Sequence, residues 1–181
     1  MIYPLTPDYF LRALTVADLN GPYMQWFDDQ EVCRYNSHGK LFKPRAYFEN
    51  YLNQLDQQDR VVLAVCHAVD GHIGNVSLQD ISLINRTAEF AIVLGDKRHW
   101  HQQVGSLAGA ALLSHGFNKL NLDRIYCVTA GTNIGMQKLA KTLGMVMEGT
   151  RRQHLFLDGV RVDMLEYGVL RSEFEAVQNA N

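Results

Sequence analysis

A junction between a predicted strand and a predicted helix offers the first candidate site in the sequence. Residues 100–105, WHQQVG, follow an apolar run and precede residues with helical spacing. Backbone amides at such a junction converge at the positive end of the helix, where phosphate oxygens bind well. The segment therefore predicts an anion site, although a plain loop that uses its one glycine for a turn fits the same six residues.

Histidines and cysteines could ligate a metal, but their spacing does not indicate a metal site. Six histidines show no paired spacing typical of zinc ligands: His67, His72, His99, His101, His115 and His154. Of the three cysteines, Cys33, Cys66 and Cys127, the last two lie inside apolar runs and are interpreted as small core residues. The sequence therefore predicts no metal ion and favours a reducing, cytoplasmic compartment.

An antiparallel meander is predicted for the first half of the chain. Asp70-Gly71, a dipeptide typical of hairpin turns, separates two β-branched runs. Predicted strands cover residues 10–14, 61–69, 73–78 and 88–94. Thr15-Val-Ala-Asp18 has capping-box form at the start of a predicted helix that contains Leu19 and Trp26, and a second helix is predicted after Pro44. Residues 28–39 lack periodicity, which predicts an irregular loop between those helices.

Helices and strands alternate in the second half. Residues 106–117 have the apolar spacing of a packed helix, and residues 124–129 form a compact apolar run. One face of the next helix is marked by Met136, Leu139, Ala140 and Leu143, and Gly144 can end it. Two further strands are predicted at residues 145–156 and 160–169, with a short polar tail from about residue 172.

Composition bounds the class of protein. The chain has 181 residues, of which 47% are hydrophobic and 20% charged, as expected for one globular domain. The formal net charge is −2 and the 17 basic residues are scattered, which argues against nucleic acid or an anionic membrane as partner. No run approaches the roughly 18 apolar residues of a membrane span, and residues 1–10 lack the pattern of an export signal.

A resemblance to a known family covers nearly the whole chain. Residues 88–125, AEFAIVLGDKRHWHQQVGSLAGAALLSHGFNKLNLDRI, resemble the acetyl-coenzyme A core of the GNAT acyltransferases, especially the ribosomal-protein N-terminal acetyltransferase branch. FLRALTVADL and WFDDQEVCRY resemble that branch's first strand, first helix and acceptor-side loop, while NIGMQKLAKTLGM, EGTRRQ and DGVRVDMLEYGVL resemble its last helix and strands. Each piece is unspecific, but their order and spacing together identify the fold.

The resemblance implies an α/β (α+β) fold in a single domain, residues 1–181. Its sheet would be mixed and mostly antiparallel, with about seven strands and helices on both faces. Coenzyme A would bind between the fourth strand and the fifth.

The family's pyrophosphate loop has the form Gln/Arg-x-x-Gly-x-Gly/Ala. The preferred register places Trp100 first, Gln103 at the middle glycine and Gly105 last; a register that starts at Gln102 puts Leu107 at the small position. The implied coenzyme-binding residues are His101, Gln102, Gln103, Val104, Gly105 and Ser106. Because Gln103 lacks the freedom of glycine, it is expected to present its amide with a negative φ.

Four more residues are implied to contact the coenzyme. The fourth strand of the family pairs its backbone with the pantetheine amides, which points to Ile92, Val93 and Leu94, although an ordinary buried strand has the same sequence. Asn133 occurs where this branch often has an asparagine near the coenzyme, and a helix cap is an equal alternative for it.

Glu89 is the first candidate for a catalytic base. The attacking amine must be unprotonated, and the tetrahedral oxyanion must be stabilised by a donor. Many family members place a glutamate base on the fourth strand, where Glu89 lies, and burial there would raise its pKa. The alternative is a solvent-facing carboxylate paired with Arg86.

The irregular loop supplies the remaining candidates. The tyrosine and serine that many relatives carry in the last helix are replaced here by Ala140 and Met136, so the usual thiolate acid is absent. The resemblance places Tyr35, Asn36, Ser37 and His38 beside the acceptor pocket. Asn36 could orient a polar substrate, and His38 could act as base or acid, although a lone loop histidine is more often solvated.

The resemblance therefore implies an acetyl-coenzyme A-dependent N-acetyltransferase. The acceptor could be a protein N-terminus such as that of a ribosomal protein, an aminosugar nucleotide, or a small polyamine or drug. Transfer is expected to be direct, in a ternary complex, because no cysteine occupies a recognisable nucleophile site. The contrasting hypothesis is a non-catalytic acyl-coenzyme A sensor or interaction module, and the expected oligomeric state is monomer or homodimer.

Overall fold

Eight strands form one mixed sheet in the order β1-β2-β3-β4-β5-β6-β8-β7. The computed structural model describes residues 2–36, 38–55 and 59–179. The strands are β1 (Ile2–Pro4), β2 (Tyr9–Ala13), β3 (Val61–His67), β4 (Gly71–Ser82), β5 (Thr87–Leu94), β6 (Arg124–Ala130), β7 (Val146–Leu157) and β8 (Val160–Leu170). Neighbouring strands are antiparallel except β5 and β6, which are parallel. The predicted fold class is confirmed, with β1 as an eighth strand beyond the seven expected.

Helices cover both faces of the sheet. They are α1 (Arg45–Asn53), α2 (Val104–Asn118), α3 (Ile134–Thr142) and α4 (Arg171–Asn179), with short 3-10 segments at Val16–Asn20, Met24–Phe27, His38–Lys40 and Lys97–His99. One hydrophobic cluster contains residues of α2, α3 and α4, and a second contains residues of α1 and the first two 3-10 segments. No helix in the described part of the chain is long and apolar enough to span a membrane.

Two predicted features of the chain differ from the structure. The helix expected to begin at the capping box and to contain Leu19 and Trp26 is divided into two 3-10 segments, Val16–Asn20 and Met24–Phe27. The polar tail expected from about residue 172 forms α4 instead, because Phe174 is buried against Phe117, with ring centroids 5.1 Å apart. With only Phe174, Ala176 and Val177 apolar among nine residues, the segment gave too weak a periodic signal for this helix to be predicted.

The first 3-10 segment is fixed by a buried ion pair. Asp18 accepts hydrogen bonds from the Arg12 guanidinium at 2.5 and 2.9 Å and from the Thr15 backbone amide at 2.8 Å. Burial opposes ionisation of this carboxyl, but the bonds from Arg12 and Thr15 outweigh it and lower the pKa of Asp18 to about 2. The capping-box pattern in the sequence thus anchors the segment that precedes the candidate site.

Candidate active site

The parallel strands β5 and β6 pair only at their start. Residues 87–89 pair with residues 124–126; beyond them β5 stays paired with β4, and β6 with β8. Backbone groups of both strands therefore border a wedge-shaped opening between them. The carboxyl ends of parallel strands meet at one edge of a sheet, so α2, which follows β5, and α3, which follows β6, both begin at this wedge.

The turn into α2 contains two residues in the left-handed region. His101 has a φ of +62°, and Gln103, the N-cap of α2, has a φ of +61°. The expectation that Gln103 keeps a negative φ is therefore wrong, because the chain turns from Lys97–His99 into α2 within four residues. Left-handed residues among right-handed ones form a concave array of backbone N–H groups, a geometry that binds anions and is found at functional sites.

The amides of this turn are available to a ligand. In the part of the chain that the structure describes, the N–H groups of residues 101–103 donate to no protein acceptor, and all three residues are exposed. The first turn of α2 carries no acidic residue. Val104 is buried, whereas Gly105 and Ser106 are half-buried at the start of the helix. The predicted anion site thus has free donors at the positive end of a 15-residue helix.

Side chains hold this turn in place. The Gln102 side chain accepts a hydrogen bond from the Tyr9 hydroxyl at 2.8 Å and donates to the Arg98 carbonyl at 2.7 Å. The Trp100 indole donates to the Leu94 carbonyl at 2.8 Å. The Gln102 side chain is therefore occupied, and only its backbone amide is available to a ligand. The Trp100 hydrogen bond attaches the turn to the end of β5.

We expect glycine at position 103 to preserve the turn. A left-handed non-glycine residue costs about 1–2 kcal/mol, and the extra backbone entropy of glycine cancels about 0.5–1 kcal/mol of that gain. Gln103→Gly should therefore leave the free energy of unfolding unchanged or slightly raised, and coenzyme A affinity intact. Gln103→Val should be less stable, because a β-branched side chain is disfavoured at positive φ. Urea unfolding and titration with coenzyme A measure both; lost binding in Gln103→Gly would assign the contact to the glutamine side chain.

The other predicted coenzyme residues border the wedge. Ile92, Val93 and Leu94 lie in the part of β5 that is not paired with β6. The Leu94 carbonyl accepts a hydrogen bond from the Trp100 indole, so only the Leu94 amide is available to a ligand. Asn133 caps α3 by accepting a hydrogen bond from the Met136 amide at 3.1 Å. The cap alternative for Asn133 is thus present, and its contact with the coenzyme stays a prediction.

A cavity of about 250 Å³ lies against the same stretch of β5, on the sheet face that carries α1. Residues from β3, β4 and β5 form its floor, and residues from α1 and the preceding loops form its walls. It is lined by Tyr23, Phe27, Asn36, His38, Lys43, Tyr47, Phe48, Tyr51, Arg60, Val62, Asn75, Ser77, Gln79, Ala91, Ile92 and Val93. Aromatic walls with a few polar groups are typical of a small-molecule site.

Alternation in β4 supplies the polar floor of the cavity. Asn75, Ser77 and Gln79 point to one face of the strand, and the fully buried Val76 and Leu78 point to the other. This period of two was visible in the sequence NVSLQ and was missed. The aromatic lining, by contrast, comes from residues 23–27 and 47–51, and nothing in either segment alone indicates that the two face one cavity.

A buried histidine connects this floor to the Asp18 ion pair. The Nε2 atom of His72 lies 2.8 Å from the Asn75 side-chain oxygen, and its Nδ1 atom lies 3.3 Å from Asp18. Burial lowers the pKa of His72, so the neutral ring is favoured. The ring also contacts Trp26 edge to face, with centroids 4.8 Å apart. The floor residue Asn75 is therefore held from below by the buried His72 ring, whose Nδ1 atom makes no hydrogen bond among the described residues.

Glu89 is half-buried next to the cavity. It lies directly across from Gln79 and two residues before Ala91, both of which line the cavity. Burial raises the pKa of its carboxyl; the Gln79 side chain opposes that effect and the nearby Asp80 adds to it. Arg86, the proposed alternative partner of Glu89, pairs with Asp123 at 3.0 Å instead. The structure thus places Glu89 beside both the wedge and the cavity.

The predicted acceptor loop is divided by the structure. Asn36 and His38 line the cavity, Tyr35 does not, and Ser37 lies outside the described residues. The Asn36 side chain accepts a hydrogen bond from the His38 amide at 2.9 Å. Although His38 is exposed, the side chains packed around it and the charge of Lys43 lower the pKa of its ring, so the neutral form is favoured. His38 thus lies at the edge of the cavity with a ring that can accept a proton.

The helix that usually carries the thiolate acid offers none at the expected positions. Ala140 is fully buried, and Met136 is half-buried against the hydrophobic cluster that contains residues of α2, α3 and α4. Neither side chain can donate a proton.

Three side chains of types that can ligate a metal, His67, Asp70 and His99, meet outside the cavity. His67 Nδ1 lies 2.7 Å and His99 Nε2 lies 3.2 Å from the same Asp70 carboxylate, and ligand atoms of all three lie within 4.8 Å of one another. Sequence spacing missed this group because it joins the end of β3, a turn and the 3-10 segment before α2. Arg98 also pairs with Asp70, at 2.9 Å, so the carboxylate already has three partners. The prediction of no metal stays a prediction.

Comparison with known proteins gives one consistent family. A family model described as an acetyltransferase (GNAT) domain matches residues 9–146. A spermidine N(1)-acetyltransferase of Escherichia coli strain K12 is 31% identical over 153 residues, which cover 82% of this chain and 74% of that protein. A Bacillus subtilis strain 168 protein, YdaF, whose name proposes a ribosomal N-acetyltransferase, is 27% identical over 107 residues, 59% of this chain and 58% of its own length.

A solved structure has the same fold. The spermidine N-acetyltransferase of Vibrio cholerae, in complex with CoA and spermine, superposes with a TM-score of 0.84. The match covers 94% of this chain and 99% of that one, at 24% sequence identity. The overall fold is therefore shared with that structure.

Proposed function

The chain belongs to the GNAT acetyltransferase family and is an acetyl-coenzyme A-dependent N-acetyltransferase; we propose that its acceptor is a primary amine bound in the cavity against β5. The observation that carries this proposal is the position of β5. Residues 91–93 line the cavity and also belong to the strand edge that opens towards β6. A thioester lying in the wedge would therefore reach an amine in the cavity across a single strand.

The turn before α2 is suited to the pyrophosphate of the coenzyme. The free amides of residues 101–103 and the α2 N-terminus supply donors without an opposing carboxylate in the first turn. We propose that the backbone of Ile92, Val93 and Leu94 pairs with the pantetheine amides along the open edge of β5, as the family resemblance implies. Unpaired strand groups there need partners, which an extended amide-bearing chain provides.

Glu89 is proposed as the general base. In the transfer, the amine nitrogen forms a bond to the acetyl carbon, the carbon–sulfur bond breaks, and one proton moves from the nitrogen to the sulfur of coenzyme A. An acceptor bound as its ammonium form has two protons to lose. Glu89 would take the first, directly or through a water molecule, and pass it to solvent; His38 is a second candidate for that role. The second proton leaves the nitrogen after the new bond has formed and ends on the sulfur.

Transfer is proposed to be direct because the cysteines are unsuited to carry an acetyl group. Cys33, Cys66 and Cys127 are buried, and burial raises the pKa of each thiol, for Cys127 to about 12. A thiol with a raised pKa is a poor nucleophile at neutral pH. A ternary complex of enzyme, coenzyme and amine therefore fits the site better than an acetyl-enzyme.

The identity of the acceptor is proposed only by class. The relatives' names point to spermidine on one side and to ribosomal proteins on the other. A small amine fits better than a protein N-terminus, because the cavity holds about 250 Å³ and aromatic walls surround its polar floor. An aminosugar nucleotide remains a candidate within the small-amine class.

Calorimetric titration followed by a thiol-release assay tests the proposed function. Acetyl-coenzyme A and coenzyme A should each bind saturably, and a panel of primary amines should then release thiol at rates that depend on the amine. Initial-rate plots against both substrates should give intersecting lines, the pattern of a ternary complex. Parallel lines with an isolable acetyl-enzyme would contradict direct transfer, and binding without release for every amine would favour the non-catalytic sensor.

A further inference from the structure

We propose that the amine acceptor carries an anionic group, a carboxylate or a phosphate, which Lys43 binds in the cavity. This inference rests on the proposed function and names the substrate class of the same site. It separates this chain from the polyamine acetyltransferases among its relatives, because a polyamine carries only positive charges.

Lys43 is a cation whose contacts inside the cavity are neutral. Its Nζ atom lies 3.3 Å from His38 Nδ1 and 3.3 Å from the Tyr47 hydroxyl, and 4.4 Å from the centre of the Tyr47 ring. The lowered pKa of His38 keeps that partner uncharged. No carboxylate lies within 4 Å of Lys43 among residues 2–36, 38–55 and 59–179.

The other lysine or arginine of the cavity lining is already neutralised. Arg60 is bidentate to Asp59 at 2.8 and 2.9 Å. Lys43 is thus distinguished by position and by its partners: a half-buried charge, directed by two neutral side chains towards a cavity. A bound anion would complete its coordination.

The cavity lining contains no aspartate or glutamate among the described residues. A polyamine site needs carboxylates to balance several ammonium groups, and here an ammonium group on the Lys43 side would instead meet a like charge. The carboxylate of Glu89 lies next to the floor, beside Gln79 and Ala91. Lys43, in contrast, belongs to the wall that leads into α1.

These positions orient the acceptor. Its anionic group would contact Lys43 on the wall, and its amine would lie over β4 and β5, towards Glu89. Asn75, Ser77 and Gln79 could donate or accept hydrogen bonds along the molecule between the two charged ends. The geometry therefore fits a small molecule with an amine at one end and an acidic group at the other.

Matched acceptor pairs test this inference in the thiol-release assay. Glucosamine 6-phosphate is compared with glucosamine, and a free amino acid with its amide; spermidine is a third arm. We expect kcat/KM to be at least about tenfold higher for the anionic member of one pair than for its neutral partner. The pair that shows the preference distinguishes a phosphate from a carboxylate.

Substitution of Lys43 supplies the second arm. Lys43→Gln should bring the kcat/KM ratio of the anionic to the neutral member of the preferred pair towards one, through a higher KM for the anionic member. Lys43→Glu should lower that ratio below one and raise kcat/KM for spermidine. Lys40→Gln is the matched control, because Lys40 is exposed and does not line the cavity. Unchanged melting temperature and acetyl-coenzyme A affinity would show that the Lys43 variants are folded.

Binding measurements keep this inference separate from the proposed function. Protection of the protein against heating by glucosamine 6-phosphate or the free amino acid requires no turnover, and Lys43→Gln should remove it. Turnover of spermidine in preference to every anionic amine, or an anion preference that Lys43→Gln leaves intact, would overturn the inference while leaving the acetyltransferase in place. No thiol release with any amine, together with Lys43-dependent protection, would contradict the proposed function alone.

Discussion

Glu89→Gln should lower kcat/KM for the amine acceptor about a hundredfold and leave the affinity for acetyl-coenzyme A unchanged. A positioned general base contributes roughly 10²–10⁴-fold to rate, and glutamine keeps the size and hydrogen-bonding capacity of the side chain without its basicity. Glu89 lies beside the cavity floor rather than at the turn before α2, so coenzyme binding should not depend on it. Single-turnover rates and calorimetric affinities measure the two effects.

The loss of rate in Glu89→Gln, relative to the wild type, should depend on pH. Burial raises the pKa of Glu89, so the wild-type rate should fall, as the pH is lowered, at a higher pH than for a solvated glutamate. Between that pKa and the pKa of the acceptor ammonium, the amine is protonated and the base is needed most. The ratio of wild type to Glu89→Gln should therefore be largest in this range and shrink at higher pH, where the amine is already free.

Asp80→Asn is the matched control for this profile. Asp80 is exposed, raises the pKa of Glu89 by charge repulsion, and has a φ of +50°, a conformation that asparagine tolerates. Its replacement should preserve the maximal rate and move the acid side of the profile to lower pH. Equal rates for wild type and Glu89→Gln across the whole pH range would remove Glu89 from the mechanism and leave His38 as the candidate base.

Most of the fold followed from local sequence patterns. Two β-branched runs and the dipeptide Asp70-Gly71 placed β3 and β4, and apolar spacing placed α2 and α3. Local patterns were insufficient where a contact with a distant residue decides the structure. The tail is helical because Phe174 packs on Phe117, and β1 exists because it pairs with β2, neither of which has a periodic signal of its own.

The candidate site, too, was predictable from the sequence only where it is formed by contiguous residues. The anion-binding turn could be located from sequence, because a strand–helix junction with WHQQVG is a contiguous feature, but its left-handed Gln103 could not. Lys43 was missed because its significance comes from three neighbours: His38 and Tyr47, which are neutral, and a cavity formed by strands later in the chain. The wedge itself follows from where the β5–β6 pairing stops, which is a property of the whole sheet.

Gly95→Ala should destabilise the protein by about 3 kcal/mol, the upper end of the usual cost of overpacking a core. Gly95 follows β5 directly, and a methyl group on its Cα would overlap the buried ring of Trp26. That ring is confined by His72 and by Tyr23, which lines the cavity. Displacing the ring should therefore also raise the KM of the amine acceptor, as measured by thiol release alongside urea unfolding.

Two further variants separate this steric cause from a general effect of alanine. Gly105→Ala lies in the first turn of α2, where the added methyl group would make only ordinary contacts with Leu139 and Ile92, so the unfolding free energy should change by less than about 1 kcal/mol. In a Trp26→Leu background, Gly95→Ala should cost much less than in the wild type, because the overlapping ring is gone. Additive costs in that double variant would contradict the overlap; coupling would show that Trp26 connects the end of β5 with the cavity wall.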